Sequence, residues 1–499
     1  MIQQNRILHS FLSLSLLLSP LPSSAQITYK KFSERPKLVV VLVIDQFRSD
    51  YLTRFPNEFL PVKSGGFRML MEQGAYFPYA QYDVLQCITC PGHAAILSGS
   101  RPYLNGVIAN NWFDIKSNTQ VYCVDDKEFG LSPRRMKSST VGDEIKNSDL
   151  PSKVVAIALK DRASIMLGGH RADTALWMGN NLLWTTSKYY NQGQLPQWAS
   201  KENESLAKTT RKPEMQGQIW GVQKTIDVAL SALKSEKLGK NKGTDILAIG
   251  LSTHDIAGHK LGPNAPEMKV LTLGEDKEIA RLVSEIKSHM GSLDSVVISL
   301  TADHGVAPSV EYSAAAKIES GRINSIDQIK SLYAALNDKF GSPKSPWLSA
   351  TLLFHMYINP EALKETKAKA EDVENLIRST LLAQKEVLAV FTKTDFLQSR
   401  FPAGELGEQV KRSYVLGQSG DVVVIPRPFH LPADGLTTTH MTGFSYDRSV
   451  PLVIYSPSRV KAGVYSNGKV IDLAPTLSFI LSVLPPSMNE GRVLSEILK

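Results

Sequence analysis

Cysteine is scarce in this chain of 499 residues: Cys87, Cys90 and Cys123 are all there is. An odd three allows one bridge at most, which excludes a small disulfide-framework fold. No apolar stretch reaches the ~20 residues that a spanning helix needs, so no stable membrane span is expected. No basic run carries interleaved aromatics, which argues against a nucleic-acid polymer as partner. Gly 33 and Pro 27 are too few for a collagenous or low-complexity chain. Internal repeats and heptads are missing too, which excludes a solenoid or a coiled coil.

What is present fits a globular protein, with 42% hydrophobic and 21% charged residues. The length allows two to four domains of ~150 residues, or one large α/β domain with insertions. At the N-terminus Arg6 precedes the apolar stretch Phe11 to Leu18, which Pro20 and Pro22 break. Ser23-Ser24-Ala25 then supplies the small residues of a cleavage site. This pattern marks residues 1–25 as a signal peptide and the protein as periplasmic or secreted. Its removal takes one Arg and no acid, leaving 55 basic against 48 acidic residues, or +7. Mild positive charge suits anionic ligands.

Lys37–Ile44 is a mostly apolar run that ends at Asp45. Such runs mark strands buried on both faces, as in parallel sheets. The pattern recurs at Val154–Leu159 before Lys160-Asp161-Arg162, at Asp245–Leu251 before Ser252–Asp255, and at Val296–Leu300 before Thr301–Gly305. Helical periodicity lies between, as at Glu278–Met290. The fold class expected is α/β: a doubly wound, mostly parallel sheet flanked by helices, with ligands beyond the carboxyl ends of the strands. Two segments break the pattern. Residues 174–225 carry Trp177, Trp184, Trp198 and Trp220 and read as a surface excursion or cap. Residues 306–431 read as an inserted subdomain, with a strand at Leu352–Ile358 and the sheet resuming at Pro451–Tyr455. The rest of 26–499 is expected to be one catalytic domain.

The strand ends collect Asp and His: Asp45, Asp255 with His259, Asp303 with His304, and later His440. Three mixed Asp and His donors per ion suit divalent zinc with a position left open. Singly, each is a common turn or cap residue; their shared placement makes the case. Pro91 suits the first position of a short helix through Ala94–Leu97, which sets Thr89 just before a helix N-terminus. Unpaired N–H groups there favour an anion, and a metal-activated Thr89 hydroxyl would be a nucleophile. The alternative is that Thr89 is a simple cap.

Val43-Ile44-Asp45-Gln46, Thr89-Cys90-Pro91-Gly92-His93, Asp255-Ile256-Ala257-Gly258-His259, Thr301-Ala302-Asp303-His304-Gly305 and Thr438-Thr439-His440 occur in that order. With them the chain resembles the alkaline phosphatase superfamily, above all its phosphate-irrepressible alkaline phosphatase branch. The resemblance implies two Zn2+ per chain. Asp255, His259 and His440 would hold one; Asp45, Asp303 and His304 would hold the other, with Thr89 bound to it. In Gly106–Trp112, Asn110 resembles the Asn that binds a phosphate oxygen. Lys160 and Arg162 resemble the pair that binds the transferred phosphoryl group. The implied reaction is hydrolysis of small phosphate monoesters through a phosphothreonine at Thr89.

Rival readings differ at particular residues. Sulfatases need a modified Cys or Ser in Cys-x-Pro-x-Arg; here Thr89 stands at that position and His93 in place of the Arg. Nucleotide pyrophosphatase/phosphodiesterases share Thr-x-Pro-x-His, so only Lys160 and Arg162 point to monoesters over diesters. A secreted binding module without chemistry would show gaps among the ligands, and none of the seven positions is missing. His93 reads as a residue that supports a ligand from behind or simply packs, with no chemistry assigned. A bridge from Cys87 or Cys90 to Cys123 and buried free thiols are both open, as are monomer and homodimer.

Overall fold

The computed structural model describes residues 34–148 and 151–499. The expected leader, residues 1–25, lies outside the described residues.

Nine strands form one sheet: β1 (Leu38–Ile44), β2 (Ala75–Gln81), β3 (Val154–Ala158), β4 (Thr174–Met178), β5 (Trp184–Thr185), β6 (Asp245–Leu251), β7 (Val296–Thr301), β8 (Ser449–Tyr455) and β9 (Gly463–Val464). Their order is β9-β2-β8-β7-β1-β6-β3-β4-β5. The five strands from β7 to β4 run parallel; β8 is antiparallel to both β7 and β2, and β5 is antiparallel to β4. The sequence dictates this. β1, Leu-Val-Val-Val-Leu-Val-Ile, is buried along its whole length, since β-branched side chains on both faces need helices above and below. Ile219–Ser235 and the 25-residue helix Pro266–Met290 supply part of that cover.

Register brings the polar clusters together. Val43 lies beside Gly250 and Thr301, and Gly250 beside Ala158. Asp45, Lys160, Ser252 and Asp303 therefore emerge along one carboxyl edge, at the centre of the sheet, where doubly wound folds bind ligands.

The segment expected as a surface excursion from 174 starts inside the sheet instead. Thr174–Met178 pairs in parallel with β3, and Trp177, Trp184 and Trp198 are buried. Five residues, Thr-Ala-Leu-Trp-Met, are too few to display strand periodicity, yet β3 offers them a complete ladder. The 306–431 segment builds a four-stranded antiparallel sheet, ordered Leu348–Leu352, His355–Ile358, Val422–Pro426, Val387–Thr392. The single strand expected at Leu352–Ile358 is the second arm of a hairpin, because Leu353 turns the chain in a left-handed conformation. Helices Ser325–Phe340 and Ala370–Leu382 close a core over this sheet with Leu332, Leu336, Trp347 and Ile377. Residues 34–499 nevertheless form one compact unit. No helix among the described residues is long and apolar enough to cross a membrane.

Helix Thr89–Ser98 is buried on every side. It begins at Thr89, so Thr89 is its first residue and Pro91 its third, two residues earlier than the Pro91 signal suggests. Pro is tolerated throughout the first turn, where N–H groups lack intrahelical partners. The helix lies hard against the end of β7: a Cβ on Gly92 would sit 2.3 Å from the Asp303 carbonyl oxygen. Gly92→Ala is therefore expected to destabilise the fold by roughly 1–3 kcal/mol, the usual cost of overpacking. Urea unfolding measures this; an unchanged midpoint would contradict the contact.

Candidate active site

Asp255 and His259 do not follow the strand as a loop. Both lie on helix Thr253–Leu261, four residues apart, so their side chains share one face. His259 Nε2 lies 3.2 Å and His440 Nε2 3.4 Å from Asp255 Oδ1. His304 Nε2 lies 3.3 Å from Asp45 Oδ1 and 3.2 Å from Asp303 Oδ2. The expected trio Asp255, His259 and His440 is thus gathered as one donor group. The other trio is joined through His304, with its donors shared: Asp45 and His304 group with Asp255, and Asp45 and Asp303 with His93.

Each imidazole is oriented by a backbone carbonyl. His259 Nδ1 donates to Thr438 O at 3.0 Å, His440 Nδ1 to Cys87 O at 2.8 Å, and His304 Nδ1 to Gly305 O at 2.9 Å. A carbonyl can only accept, so each Nδ1 carries a proton, and the Nε2 edge of each ring is turned to the carboxylates. The rings of His304 and His440 stack with centroids 3.5 Å apart.

Three buried carboxylates within this space demand positive charge. Lys160 Nζ donates to Asp45 Oδ2 at 2.6 Å and to Asp255 Oδ2 at 2.5 Å. The ammonium expected to face a phosphoryl group therefore bridges the two expected ligand sets, because those carboxylates are the strongest acceptors within its reach. Burial pushes the Asp45 carboxyl up, but Lys160 and His304 together outweigh it and hold the pKa well below the carboxylate range. Asp255 is held low in the same way, against burial, by Lys160 and His259. Asp303 is pushed up by burial and by the Asp45 charge. Burial works against a charged His304, yet Asp303 and Asp45 carry its pKa up to about 9. Burial and the neighbouring His304 press His440 down to about 3.

Divalent metal fits these residues. Asp45 Oδ1, Asp303 Oδ2 and His304 Nε2 are buried with no hydrogen-bond partner among the described residues. Such orphaned donors cost stability unless something binds them. They converge, and carboxylate with imidazole is the set that suits a divalent ion.

Thr89 is buried at the start of its helix. Asn110 Oδ1 accepts the Cys90 N–H at 2.8 Å, which turns the amide Nδ2 outward as a donor. Arg162 lies at the start of helix Asp161–Gly168, with Nη1 3.3 Å from the Tyr122 hydroxyl. Of the cysteine pairings left open, Cys90–Cys123 is formed, and Cys87 is a buried thiol.

Three contributors escape a reading by residue type. Gln46 donates its backbone N–H to Asp303 Oδ1 at 3.1 Å and its side-chain Nε2 to Asp255 Oδ1 at 2.7 Å, tying both ligand sets together. It does so with φ 67°, a left-handed conformation rarely adopted by a residue other than Gly. His93, read as a supporting or a packing residue, places Nδ1 3.0 Å from Asp303 Oδ2 and 2.9 Å from Thr89 O. Asp447 Oδ2 accepts from the Met441 and Thr442 N–H groups, fixing the loop that carries His440. The advance signals were Gln46 following Asp45 and His93 closing the Thr89 segment, each inside a matched motif; Asp447 had none.

The chain belongs to the type I phosphodiesterase / nucleotide pyrophosphatase family, whose model matches residues 39–443. Within that family it is similar to the alkaline phosphatase PafA of Elizabethkingia meningoseptica, 28% identical over 527 residues that cover 93% of this chain and 95% of that protein. It is also similar to the alkaline phosphatase PhoV of Synechococcus elongatus, 29% identical over 529 residues, 93% of each. The crystal structure of wild-type PafA matches with a TM-score of 0.86 at 27% identity, covering 93% of this chain and 99% of that one. Murine ectonucleotide pyrophosphatase / phosphodiesterase 5, at 14% identity and TM-score 0.60, covers 93% of this chain and all of its own, and shares the fold. The large mixed sheet flanked by helices is thus the alkaline-phosphatase-like fold that the motifs resembled.

Elemental analysis of purified protein should find about two divalent ions per chain if both expected donor sets are filled. His440→Ala should lower this to about one, since it removes a donor from one trio only. Metal-free protein with full turnover would contradict the site.

Proposed function

We propose that the chain is a phosphate monoester hydrolase, an alkaline phosphatase that uses two zinc ions, forms a phosphothreonine at Thr89, and works in the periplasm or outside the cell. The observation that carries the reading is the convergence of all six ligand-type side chains beside Lys160 and Arg162. Kinship with alkaline phosphatases over more than nine-tenths of the chain supports it.

Asp255, His259 and His440 would hold one ion, and Asp45, Asp303 and His304 the other. Bound there, the pair supplies charge on both the attacking and the leaving oxygen and neutralises the carboxylates that Lys160 otherwise serves. The chain's own residues do the rest. The Thr89 hydroxyl gives up its proton to solvent and its oxygen forms a bond to phosphorus as the ester P–O bond breaks, and the leaving oxygen takes a proton from solvent to depart as the alcohol. Water then cleaves the phosphothreonine and restores the hydroxyl. Asn110 Nδ2, the Arg162 fork and the Lys160 ammonium take non-bridging oxygens, and Arg geometry suits phosphate especially. A monoester dianion fills all these donors. A diester replaces one charged oxygen with a neutral, bulky group and leaves a cation without its partner.

Export agrees with the Ser23-Ser24-Ala25 pattern and with Cys90–Cys123, since disulfides persist in oxidising compartments. The family description favours a second reading, phosphodiester or pyrophosphate cleavage at the same Thr89.

Thr89→Ala is expected to cut turnover by orders of magnitude without unfolding, while Thr89→Ser keeps much of it, and acid trapping should find phosphate on Thr89. Normal turnover in Thr89→Ala would refute the nucleophile. Arg162→Ala should lower monoester kcat/KM by at least about tenfold, as a charge-assisted hydrogen bond is worth ~1.5–3 kcal/mol. A matched diester should change much less. Wild-type preference for the diester would establish the second reading.

A further inference from the structure

Strands Asn111–Asp114 and Thr119–Tyr122 form a hairpin outside the main sheet, and its open end reaches the site. Asn111 pairs with Tyr122 there, so Asn110 and Cys123 extend the pair by one residue on each side. The Cys123 N–H donates to Asn110 O at 2.9 Å, and the Cys90 N–H to Asn110 Oδ1 at 2.8 Å. Cys90 and Cys123 are bridged, and Cys90 follows Thr89 directly. One covalent link therefore joins the nucleophile's neighbour to the hairpin end that carries Asn110 and Tyr122.

Tyr122 stands between two residues of the next element. Its hydroxyl donates to Asp161 Oδ1 at 2.6 Å and accepts from Arg162 Nη1 at 3.3 Å. The same Asp161 oxygen accepts the Arg162 backbone N–H at 2.6 Å. The Arg162 guanidinium reaches that carboxylate only at 4.0 Å. Arg with a neighbouring carboxylate ordinarily closes into a fork-to-fork pair, which spends the donors a phosphate would use. Here a phenol hydroxyl lies between them and takes a single N–H. Arg162 Nε is buried without a partner among the described residues. The guanidinium is thus restrained at one corner while keeping donors free.

We propose that Tyr122 is a positioning residue of the phosphate clamp: held by Asp161, its hydroxyl keeps the Arg162 fork off the carboxylate and aimed at phosphoryl oxygens. The inference rests on the reading of Arg162 as a phosphoryl ligand. It assigns a task to the hairpin, which the chemistry at Thr89 does not otherwise need, and to the cystine that anchors it.

The test is a double-mutant cycle on the full, metal-loaded enzyme with Tyr122→Phe, Arg162→Ala and both together. Tyr122→Phe keeps the ring and removes only the hydroxyl. It should lower monoester kcat/KM about three- to tenfold, the net worth of a typical hydrogen bond, and raise the inhibition constant of inorganic phosphate by a similar factor. In the Arg162→Ala background the same substitution should change both by less than about twofold, and a matched diester should be indifferent to it throughout. Equal losses in both backgrounds would show a general structural effect and overturn the proposal. A defect in Arg162→Ala with none in Tyr122→Phe would overturn it while leaving the monoester reading intact. Wild-type monoester turnover in Arg162→Ala would overturn that reading and this inference together.

Discussion

Three carboxylates buried within reach of one another are the constraint around which this molecule is built. Asp45, Asp255 and Asp303 lie at the central edge of the sheet, where water cannot screen their repulsion. Lys160 and His304 answer part of that charge, and orphaned oxygens on Asp45 and Asp303 mark what they leave unanswered. The arrangement costs stability and is retained by a scaffold rigid enough to hold it. Five parallel strands, covered on both faces, provide that scaffold, since shifting β1, β6 or β7 would move the Asp and His side chains that follow it.

Around this charge centre the side chains are placed by backbone, more than by each other. Carbonyls of Cys87, Gly305 and Thr438 fix three imidazoles. N–H groups of Gln46, Met441 and Thr442 grip carboxylates. Main-chain partners carry no rotamer freedom of their own, so they orient a ligand with little entropic cost. Cys87 shows how closely the parts are coupled: its carbonyl aims His440, while Thr89 lies two residues further on.

The inserted four-stranded sheet has its own core and also touches the site's supports. His355, on its second strand, accepts the Gly420 N–H at Nδ1 and faces the Gln86 side chain, three residues before Thr89. A neutral imidazole is required there, and burial lowers the His355 pKa to about 4, keeping it uncharged in ordinary media. The insert thereby braces the Thr89 loop from one side, and the Cys90–Cys123 link braces it from the other.

Much of this was legible before folding. Buried-strand runs ending in Asp declared a parallel sheet, because an apolar run with no polar face has nowhere to lie except between two layers of helix. The ordered motifs picked out the Asp and His side chains that the fold gathers into candidate metal-binding groups, since metal chemistry restricts residue type. Position within an element was less legible: Asp255 and His259 needed a helix that the strand-end pattern hid, and Thr174–Met178 joined the sheet through a partner rather than its own periodicity. The sequence by itself determined which groups carry charge and in what order they appear. Only tertiary structure decided that Lys160 bridges Asp45 and Asp255, that Gln46 spans both ligand sets, and that Tyr122 lies between Asp161 and Arg162. Those contacts join residues up to 257 positions apart, and hydrogen-bond geometry between distant segments is set by packing, which leaves no local signature in the chain.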